Sequence, residues 1–284
     1  MSYMTGKDML LLPDGSTYHL GAKRGDVANR IITVGSAGRA AAIAKHLTDA
    51  SHIHSPREMH IHTGTYAGVP VSVIAIGMGA PMMDFMAREV SFVTEGPLAC
   101  VRLGTCGIFN PEVAPGTIMT AGKGSSYIYV NYAHWTGCYN APDINENSPA
   151  YILTNPAQCS SELNSAVVSE INEVGLKHHD GLNACGETFY SCQGRLSNEF
   201  NDGNPAEIIG WLTGQGVDFV EMETHQLFHL GGCRKDKTYT ASCAIGILNR
   251  MNTEMTSNID ADELHRLESA AGECILKALV KFSM

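Results

Sequence analysis

Two arginines stand at positions where a charged side chain needs an anionic partner. Arg39 ends the segment GSAGR, which follows the apolar run IITV and precedes a predicted helix. Backbone N–H groups in such a strand-to-helix turn face a bound anion, and a guanidinium adds a charge-assisted clamp. Arg102 lies within the apolar run LACVRLGTCG, where burying an unpaired charge is costly. The pattern indicates an anion site that includes the Thr105 hydroxyl. The alternatives are an ordinary structural turn at Gly35 and a salt bridge from Arg102 to an acidic neighbour.

Two later segments carry polar groups that suit a sugar and a planar ring. In VEMET, the carboxylates of Glu221 and Glu223 suit paired sugar hydroxyls or a metal ion. Acids at such a position also stabilise the N-terminus of a helix. The segment ETFYSCQGR places Gln193 and Arg195 two residues apart after an aromatic pair. Gln donates and accepts, and Arg offers a planar fork, so both suit a ring with alternating C=O and N–H groups, packed against Phe189. The alternative is a surface loop.

Four histidines lie close together in the sequence, at His52, His54, His60 and His62. The last two have strand spacing, which puts both imidazoles on one face of a strand. A zinc site needs a carboxylate or another ligand that converges on the same point. We therefore expect these histidines to decorate an exposed strand rather than to bind a metal.

Composition narrows the class of protein. The 284 residues include 19 Lys and Arg against 29 Asp and Glu, a formal net charge of −10. This balance argues against non-specific nucleic-acid binding, and any bound anion must be held by a few local arginines. The nine cysteines include no CxxC pair, and no apolar run approaches the roughly 20 residues that span a membrane. The N-terminus has no signal-peptide core. We expect a reduced, cytoplasmic enzyme without a membrane partner.

Short apolar runs alternate with amphipathic stretches along the chain. Strands are predicted at residues 31–34, 69–76, 98–103 and 238–248, and in the strand-to-helix segment 216–230. Helices are predicted after GSAGR and over residues 80–93, 159–175, 207–216 and 260–282. This alternation indicates a mixed or parallel sheet covered on both faces, hence an α/β fold. Because no linker divides the chain, we expect one domain over residues 1–284, with an irregular segment at 122–149.

In sequence order these motifs resemble the nucleoside phosphorylase family, and within it the uridine phosphorylase branch. The matching segments are YHLG at 18–21, GSAGR, REM from Arg57, GMGAP, RLGTCG, FYSCQGR, EMET and the pair Asn249–Arg250. The resemblance implies a three-layer α/β/α domain around a mixed, partly barrel-like sheet, with a homodimer as the active unit. Bacterial relatives form hexamers, and any assembly above the dimer is left open here.

The resemblance also implies roles for individual residues. Phosphate is expected at Gly35, Arg39, Arg57, Arg102 and Thr105, with Arg57 donated by the neighbouring subunit. Ribose is expected at His19, Thr105, Met222 and Glu223, with His19 reaching across the dimer. Uracil is expected at Phe189, Gln193, Arg195, Ile247, Leu248 and Arg250. The expected catalytic set is Arg102, Gln193, Arg195, Glu223 and Arg250.

The activity implied is a pentosyl transfer, the reversible phosphorolysis of uridine to uracil and ribose 1-phosphate in pyrimidine salvage. Purine phosphorylases of this fold carry an Asp after the late strand, whereas this chain has Asn249 and Arg250, which favours a pyrimidine. Phosphate is then a co-substrate. No NAD or nucleotide cofactor is expected, because GSAGR is not GxGxxG and no P-loop lysine follows it. A nucleoside hydrolase on the same fold and a catalytically idle nucleoside-binding protein are the alternatives.

A cation at the dimer interface is a further expectation. In bacterial relatives potassium is bound there by a serine, by a glutamate matching Glu58 and by a carbonyl, but here Met82 replaces the serine. Without the serine oxygen, Glu58 and its two-fold mate are expected to hold a cation through carboxylates and carbonyls, either potassium or, as paired carboxylates favour, a harder divalent ion such as calcium.

Overall fold

A mixed sheet of twelve strands forms the centre of the protein, in a computed structural model that describes residues 4–5, 9–134, 147–196, 199–200, 205–252 and 259–284. A separate two-stranded sheet consists of β1 Met4–Thr5 and β2 Leu10–Leu11. The twelve strands are β3 Arg30–Val34, β4 Thr48–His54, β5 His60–Tyr66, β6 Val69–Ala75, β7 Leu98–Ile108, β8 Ile118–Thr120, β9 Ser125–Val130, β10 Tyr151–Leu153, β11 His178–Asp180, β12 Leu182–Gly186, β13 Val217–Glu221 and β14 Thr238–Asn249.

The described residues include six α-helices, of which the first five connect strands and the sixth follows the last strand. They are α1 Ala37–Ala44, α2 Ala80–Val93, α3 Ser161–Glu173, α4 Pro205–Gly214, α5 Thr224–Cys233 and α6 Ala261–Lys281. Two short 3₁₀ helices span Tyr132–His134 and Ser191–Gln193.

Strand β7 is the branch point of the sheet. One edge of β7 pairs in parallel with β14 along its length. The other edge pairs first with the parallel strand β3, up to Leu103, and then with the antiparallel strand β13 at Gly107 and Ile108. Between them, residues 104–106 have no strand on this edge within the described part of the chain. Because β3 and β13 run towards this gap from opposite directions, the segments that follow both strands enter one opening.

Helices cover both faces of the sheet because successive strand residues point to opposite sides. Ile32 and Val34 of β3 belong to an apolar core with residues of α1, α3 and α6. Ile31, which precedes Ile32 and points to the opposite side, belongs to a second core with residues of α2 and α5. Strands buried on both faces are nearly continuous apolar runs, as the sequence of β7 shows at its start. The prediction of an α/β fold with a mixed sheet between helical layers is confirmed.

The predicted elements are present, with two shifted boundaries near the gap. Helix α1 begins at Ala37, inside GSAGR, because the Ser36 side chain caps it and accepts a hydrogen bond from the Arg39 amide at 3.2 Å. Strand β7 continues past the predicted end at Leu103 and reaches Ile108. As a result Thr105 lies within a strand rather than in a turn, and β14 holds its backbone in place.

The expectation of an irregular segment at 122–149 is wrong in part. Residues Ser125–Val130 form β9, which lies between β10 and β12 and so belongs to the main sheet. Its Tyr127 and Tyr129 share one face, and Ser125, Ser126 and Ile128 are buried, so the polar composition of the segment hid a strand. Residues 135–146 of this segment lie outside the described residues.

The single domain over residues 1–284 stays a prediction. No helix in the described ranges has the length and apolar character needed to cross a membrane.

Candidate active site

The gap beside β7 opens into a cleft of about 370 Å³. The cleft is lined by Gly35, Ser36, Arg39, Gly77, Met78, Arg102, Thr105, Cys106, Gly107, Phe189, Gln193, Arg195, Val220, Glu221, Met222, Glu223 and Ile247. These residues come from the turn after β3, the turn after β6, the middle of β7, the loop after β12, the end of β13 and β14. The structure therefore brings most of the predicted site residues together. The predicted residues that do not line this cleft are His19, Arg57, Glu58, Leu248 and Arg250.

Arg102 is the buried charge at the floor of the cleft, with only 4% of its surface exposed. Its Nε donates to Glu221 at 3.1 Å and its Nη2 donates to Glu223. Burial by itself lowers the pKa of Arg102, but the two carboxylates outweigh it and raise that pKa above its ordinary value. The salt-bridge alternative is thus correct for two of its nitrogens. The third nitrogen, Nη1, is buried and has no hydrogen-bond partner among the described residues, so it can still donate to a ligand.

Glu223 is the carboxylate that faces the cleft, and it is 1% exposed. Its Oε1 accepts a hydrogen bond from the Gly79 amide at 2.5 Å. Gly79 has a φ of 99°, which a side chain would strain, so glycine allows this amide to approach. Burial raises the pKa of Glu223 to about 7, while Arg102 opposes this shift and Glu221 adds to it. Glu223 therefore changes charge near neutral pH.

Arg39 is held at the rim of the cleft by contacts distant in sequence. Its Nε and Nη2 both lie 2.7 Å from Glu268 Oε1 of α6, and its Nη1 donates to the Leu103 carbonyl at 3.2 Å. The guanidinium is thus fixed beside the end of β3, where the turn of Gly35 and Ser36 begins α1. Together with Arg102, it supplies positive charge on the side of the cleft where an anion was predicted.

The loop after β12 carries a second polar group of donors and acceptors. Gln193 is 3% exposed, and its Oε1 accepts from Nη1 of Arg195 at 2.6 Å. The same Nη1 donates to the Phe189 carbonyl at 2.8 Å, and the guanidinium carbon lies 4.0 Å from the centre of the Phe189 ring. Burial lowers the pKa of Arg195. The predicted trio is therefore preassembled as an aromatic, an amide and a guanidinium at one wall of the cleft.

Arg250 lies behind this loop rather than on the lining of the cleft. Its Nη1 donates to the Gln193 carbonyl and its Nη2 to the Gly194 carbonyl at 3.1 Å. Burial, with the neighbouring positive charge of Arg195, lowers its pKa to about 10. In this structure Arg250 thus supports the loop that carries Gln193. Leu248 likewise does not line the cleft, whereas its neighbour Ile247 does.

His19 and Arg57 lie together on a different part of the surface. The His19 ring stacks on Phe85 with centroids 3.8 Å apart, and its Nδ1 is 2.6 Å from Glu89. Tyr18 connects the pair, because its ring meets the His19 ring edge-on at 5.0 Å and lies 5.4 Å from the Arg57 guanidinium carbon. Neither residue lines the cleft of its own chain.

Sequence reasoning missed the partners that hold the arginines. Glu221 was interpreted only as one of two similar acids, but it pairs with Arg102 and accepts the backbone amides of Glu223 at 2.9 Å and Thr224 at 3.1 Å. The helix-terminus alternative is therefore correct for Glu221, and the hydroxyl-binding interpretation suits Glu223. Nothing in the sequence around Glu268 indicates that it pairs with Arg39, because the two residues are 229 positions apart. A buried arginine in an apolar run was the only available hint that acids must converge there.

The arrangement combines three chemical capacities in one cleft. Guanidinium groups and the Thr105 hydroxyl suit an oxyanion, a buried carboxylate suits vicinal hydroxyls, and the amide–guanidinium pair suits a polar planar ring. The Cys106 thiol lies at the cleft too, but burial raises its pKa well above the ordinary value, which makes it a poor nucleophile.

Comparison with known proteins agrees with this chemistry. A solved structure from a study of two uridine phosphorylases of the oomycete Phytophthora capsici has a TM-score of 0.91 and 32% identity, over 100% of both chains. The uridine phosphorylase of Thermococcus kodakarensis is 27% identical over 225 residues, 76% of this chain and 72% of the relative. A purine nucleoside phosphorylase of the DeoD type from Streptococcus pneumoniae is 30% identical over 213 residues, 75% of this chain and 78% of the relative. The sequence model of the Phosphorylase superfamily matches residues 29–281, so this chain belongs to the phosphorylase superfamily.

Proposed function

We propose that this protein is a uridine phosphorylase, which transfers the ribosyl group of uridine to phosphate and releases uracil and ribose 1-phosphate. The observation that carries the proposal is one cleft that gathers two arginines for an anion, Glu223 for sugar hydroxyls and the Gln193–Arg195 pair for a base. The uridine phosphorylases among its relatives support it. The reaction is a pentosyl transfer that serves pyrimidine salvage, and it needs phosphate as co-substrate but no nicotinamide or nucleotide cofactor.

In the proposed mechanism phosphate attacks C1′ of the ribose as the glycosidic bond breaks through an oxocarbenium-like transition state. Arg39 and Nη1 of Arg102 hold the phosphate, whose negative charge stabilises the developing positive charge on the sugar. Glu223 accepts hydrogen bonds from the 2′- and 3′-hydroxyls and orients the ring. Arg195 and Gln193 stabilise the negative charge that grows on uracil, so no acid needs to protonate the base. Proximity and preorganised electrostatics thus supply the catalysis.

A pyrimidine suits this cleft better than a purine. Arg250 follows Asn249 at the end of β14, where the resemblance gives purine phosphorylases an Asp that protonates the base. Arg250 supports the Gln193 loop with two hydrogen bonds, and the amide of Gln193 is itself buried. A nucleosidase would have no use for Arg39 and an unpartnered donor on Arg102, which favours phosphate over water as the nucleophile.

We propose a homodimer as the active unit, in which His19 and Arg57 complete the cleft of the other subunit. Supporting this, the two residues neighbour each other through Tyr18 and both lie away from their own cleft. Glu89 fixes the His19 segment by accepting the backbone amides of His19 at 3.1 Å and Leu20 at 2.6 Å. A cytoplasmic location is part of the same proposal, since the eight described cysteines are free thiols.

The expected potassium or calcium ion at Glu58 and its two-fold mate stays a prediction, and the side chains beside Glu58 in its own subunit are a poor match for such an ion. Glu58 is exposed, and the side chains beside it are the imidazoles of His54 and His60. Potassium and calcium take oxygen ligands, whereas imidazole suits transition metals. The proposed reaction involves no step through a cation.

Free uracil is the first product to measure, with purified protein and uridine in the presence and absence of phosphate. We expect uracil release that requires phosphate, because Arg39 and Arg102 hold the nucleophile. Inosine, a purine nucleoside, should not be cleaved. Thymidine tests whether the pocket at Ile247 accepts the methyl group of thymine. Release of uracil without phosphate would instead establish a hydrolase. No release from any nucleoside would leave a binding protein.

The pH dependence of kcat/KM for uridine follows from Glu223. Because its pKa is raised to about 7, the group is protonated at lower pH, and a neutral carboxyl is a weaker acceptor for two ribose hydroxyls. At saturating phosphate we expect kcat/KM to fall as the pH decreases below about 7 and to level off above it. The E223Q variant should be slow, and its kcat/KM should not fall as the pH decreases below about 7. If the same fall in kcat/KM is seen in E223Q, it arises from phosphate or from another group.

A further inference from the structure

The hairpin of β4 and β5 carries a two-by-two array of imidazoles on one face. In the antiparallel register His52 lies opposite His62 and His54 lies opposite His60. Ring centroids are 4.4 Å apart in the first pair and 4.2 Å apart in the second, and the rings are nearly parallel. Side chains directly opposite in such a ladder have Cβ atoms about 4.5–5.5 Å apart, so two imidazoles can reach one ion. β4 is the last strand of the sheet, and its array faces outward.

The loop between the two strands adds a carboxylate to this array. Glu58 Oε2 lies 3.0 Å from His54 Nε2. One nitrogen from each of His54 and His60 and one oxygen of Glu58 all lie within 4.8 Å of one another. The third ligand that the four histidines lacked in the sequence therefore comes from the turn that connects their strands.

We propose that His54, Glu58 and His60 form a binding site for a divalent transition-metal ion of the zinc class. Two imidazole nitrogens and one carboxylate oxygen make a three-ligand set, which leaves a fourth tetrahedral position for water or for a ligand from a second copy of this chain. Metal–nitrogen distances near 2.0–2.1 Å place tetrahedral ligand atoms about 3.3 Å apart. His54 Nε2 and Glu58 Oε2, which are 3.0 Å apart, already lie close to that separation. Within one subunit the side chains of His54 and Glu58 are 47% and 80% exposed, so they can rotate without disturbing its core.

A neighbouring histidine orients one of the ligands. Nε2 of His52 lies 3.1 Å from Nδ1 of His60, which leaves Nε2 of the His60 ring for the metal. Metal-binding imidazoles characteristically use their second nitrogen in an outer contact of this kind, and its loss costs about 10- to 100-fold in affinity. His52 is therefore a positioning residue, and its replacement should weaken binding less than replacement of a ligand.

Zinc chloride titrated into the full chain tests the proposal, with protein that carries no polyhistidine tag and has been freed of metal with a chelator. Affinity is measured by competition with a chromogenic chelator, and ligand type by the absorption spectrum of bound Co²⁺. We expect one tight site per chain with a nitrogen–oxygen spectrum. H54A, H60A and E58Q should each weaken zinc binding by more than 100-fold, and H52A by about 10- to 100-fold.

Two controls separate this site from others. H265A removes an exposed histidine that pairs with a single carboxylate, Glu268 at 3.2 Å, and it should leave the affinity unchanged. C233S removes a thiol 3.8 Å from His229 Nε2, a thiol–imidazole pair that would compete for zinc. Binding that survives in H54A/H60A, a thiolate spectrum that C233S abolishes, displacement of zinc by calcium at similar concentration, or no binding at all would each overturn the proposal. A cooperative melting transition shows that the wild type and H54A/H60A are both folded, and zinc should raise the melting temperature of the wild type only.

Discussion

Replacement of Arg102 by alanine is expected to destabilise the protein by about 3–5 kcal/mol and to slow uridine phosphorolysis by on the order of 100- to 1,000-fold. The side chain is 4% exposed and pairs with Glu221 and Glu223, so its removal leaves the buried Glu221 carboxylate without a countercharge and raises the pKa of Glu223 further. It also removes Nη1, the buried donor proposed to hold phosphate. Urea denaturation gives the free energy of unfolding, and steady-state kinetics with varied phosphate gives the rate.

The two effects of this variant can be separated. In R102A/E223Q an amide that cannot ionise replaces the second buried carboxyl group, so we expect part of the stability to return while activity stays low. R88A serves as the matched control, since Arg88 is an exposed arginine whose partner Asp84 lies on the same helix, and its loss should change stability by no more than about 0.5 kcal/mol. An R102A protein with unchanged stability would show that Glu221 and Glu223 are not ionised together with Arg102.

Replacement of Arg195 by alanine is expected to lower kcat for phosphorolysis by about 100- to 1,000-fold with little loss of stability. The guanidinium is poised beside Gln193 and over the Phe189 ring, where it can stabilise charge that appears on uracil only as the bond breaks. An interaction made in the transition state affects kcat more than substrate binding. Rates of uracil release at saturating uridine and phosphate measure the effect.

Lysine is the informative second substitution at this position. R195K keeps the charge but loses the planar fork that bonds to Gln193 and the Phe189 carbonyl, so it should recover only a small part of the rate. R266A, which removes an exposed arginine paired with Glu263, controls for the general loss of a positive charge. Activity of R195A equal to that of the wild type would remove Arg195 from the base site.

The cleft owes its position to the way the sheet branches. β3 and β13 share one edge of β7 and approach each other from opposite directions, and neither covers residues 104–106. Ligand sites in open α/β sheets form where the chain diverges beyond the carboxyl ends of strands. Here two carboxyl ends converge, which brings the anion-binding turn of β3 and Glu223 after β13 to one opening, with Thr105 beneath them.

The local pattern of residues predicted the elements well because their causes are local. An apolar run rich in β-branched residues predicts β6, and apolar residues at helical spacing predict α2 and α6, as the structure has them. The polar, tyrosine-containing segment of β9 carries a weak pattern, and its burial between β10 and β12 is a consequence of the sheet order. Strand pairing therefore decided an element that its own residues did not indicate.

The sequence by itself determined which polar and charged side chains need a partner or a ligand if they are buried. They are an arginine in an apolar run, two acids after a strand, and a glutamine and an arginine after an aromatic pair. Only the tertiary structure decided what they contact. Arg39 meets Glu268 across 229 positions and Arg102 meets Glu223 across 121, and Glu58 joins His54 and His60 because a turn carries it there. The physical reason is that residue type sets the cost of burial at each position, whereas the partner that offsets this cost depends on strand order and register, which arise from the packing of the whole chain.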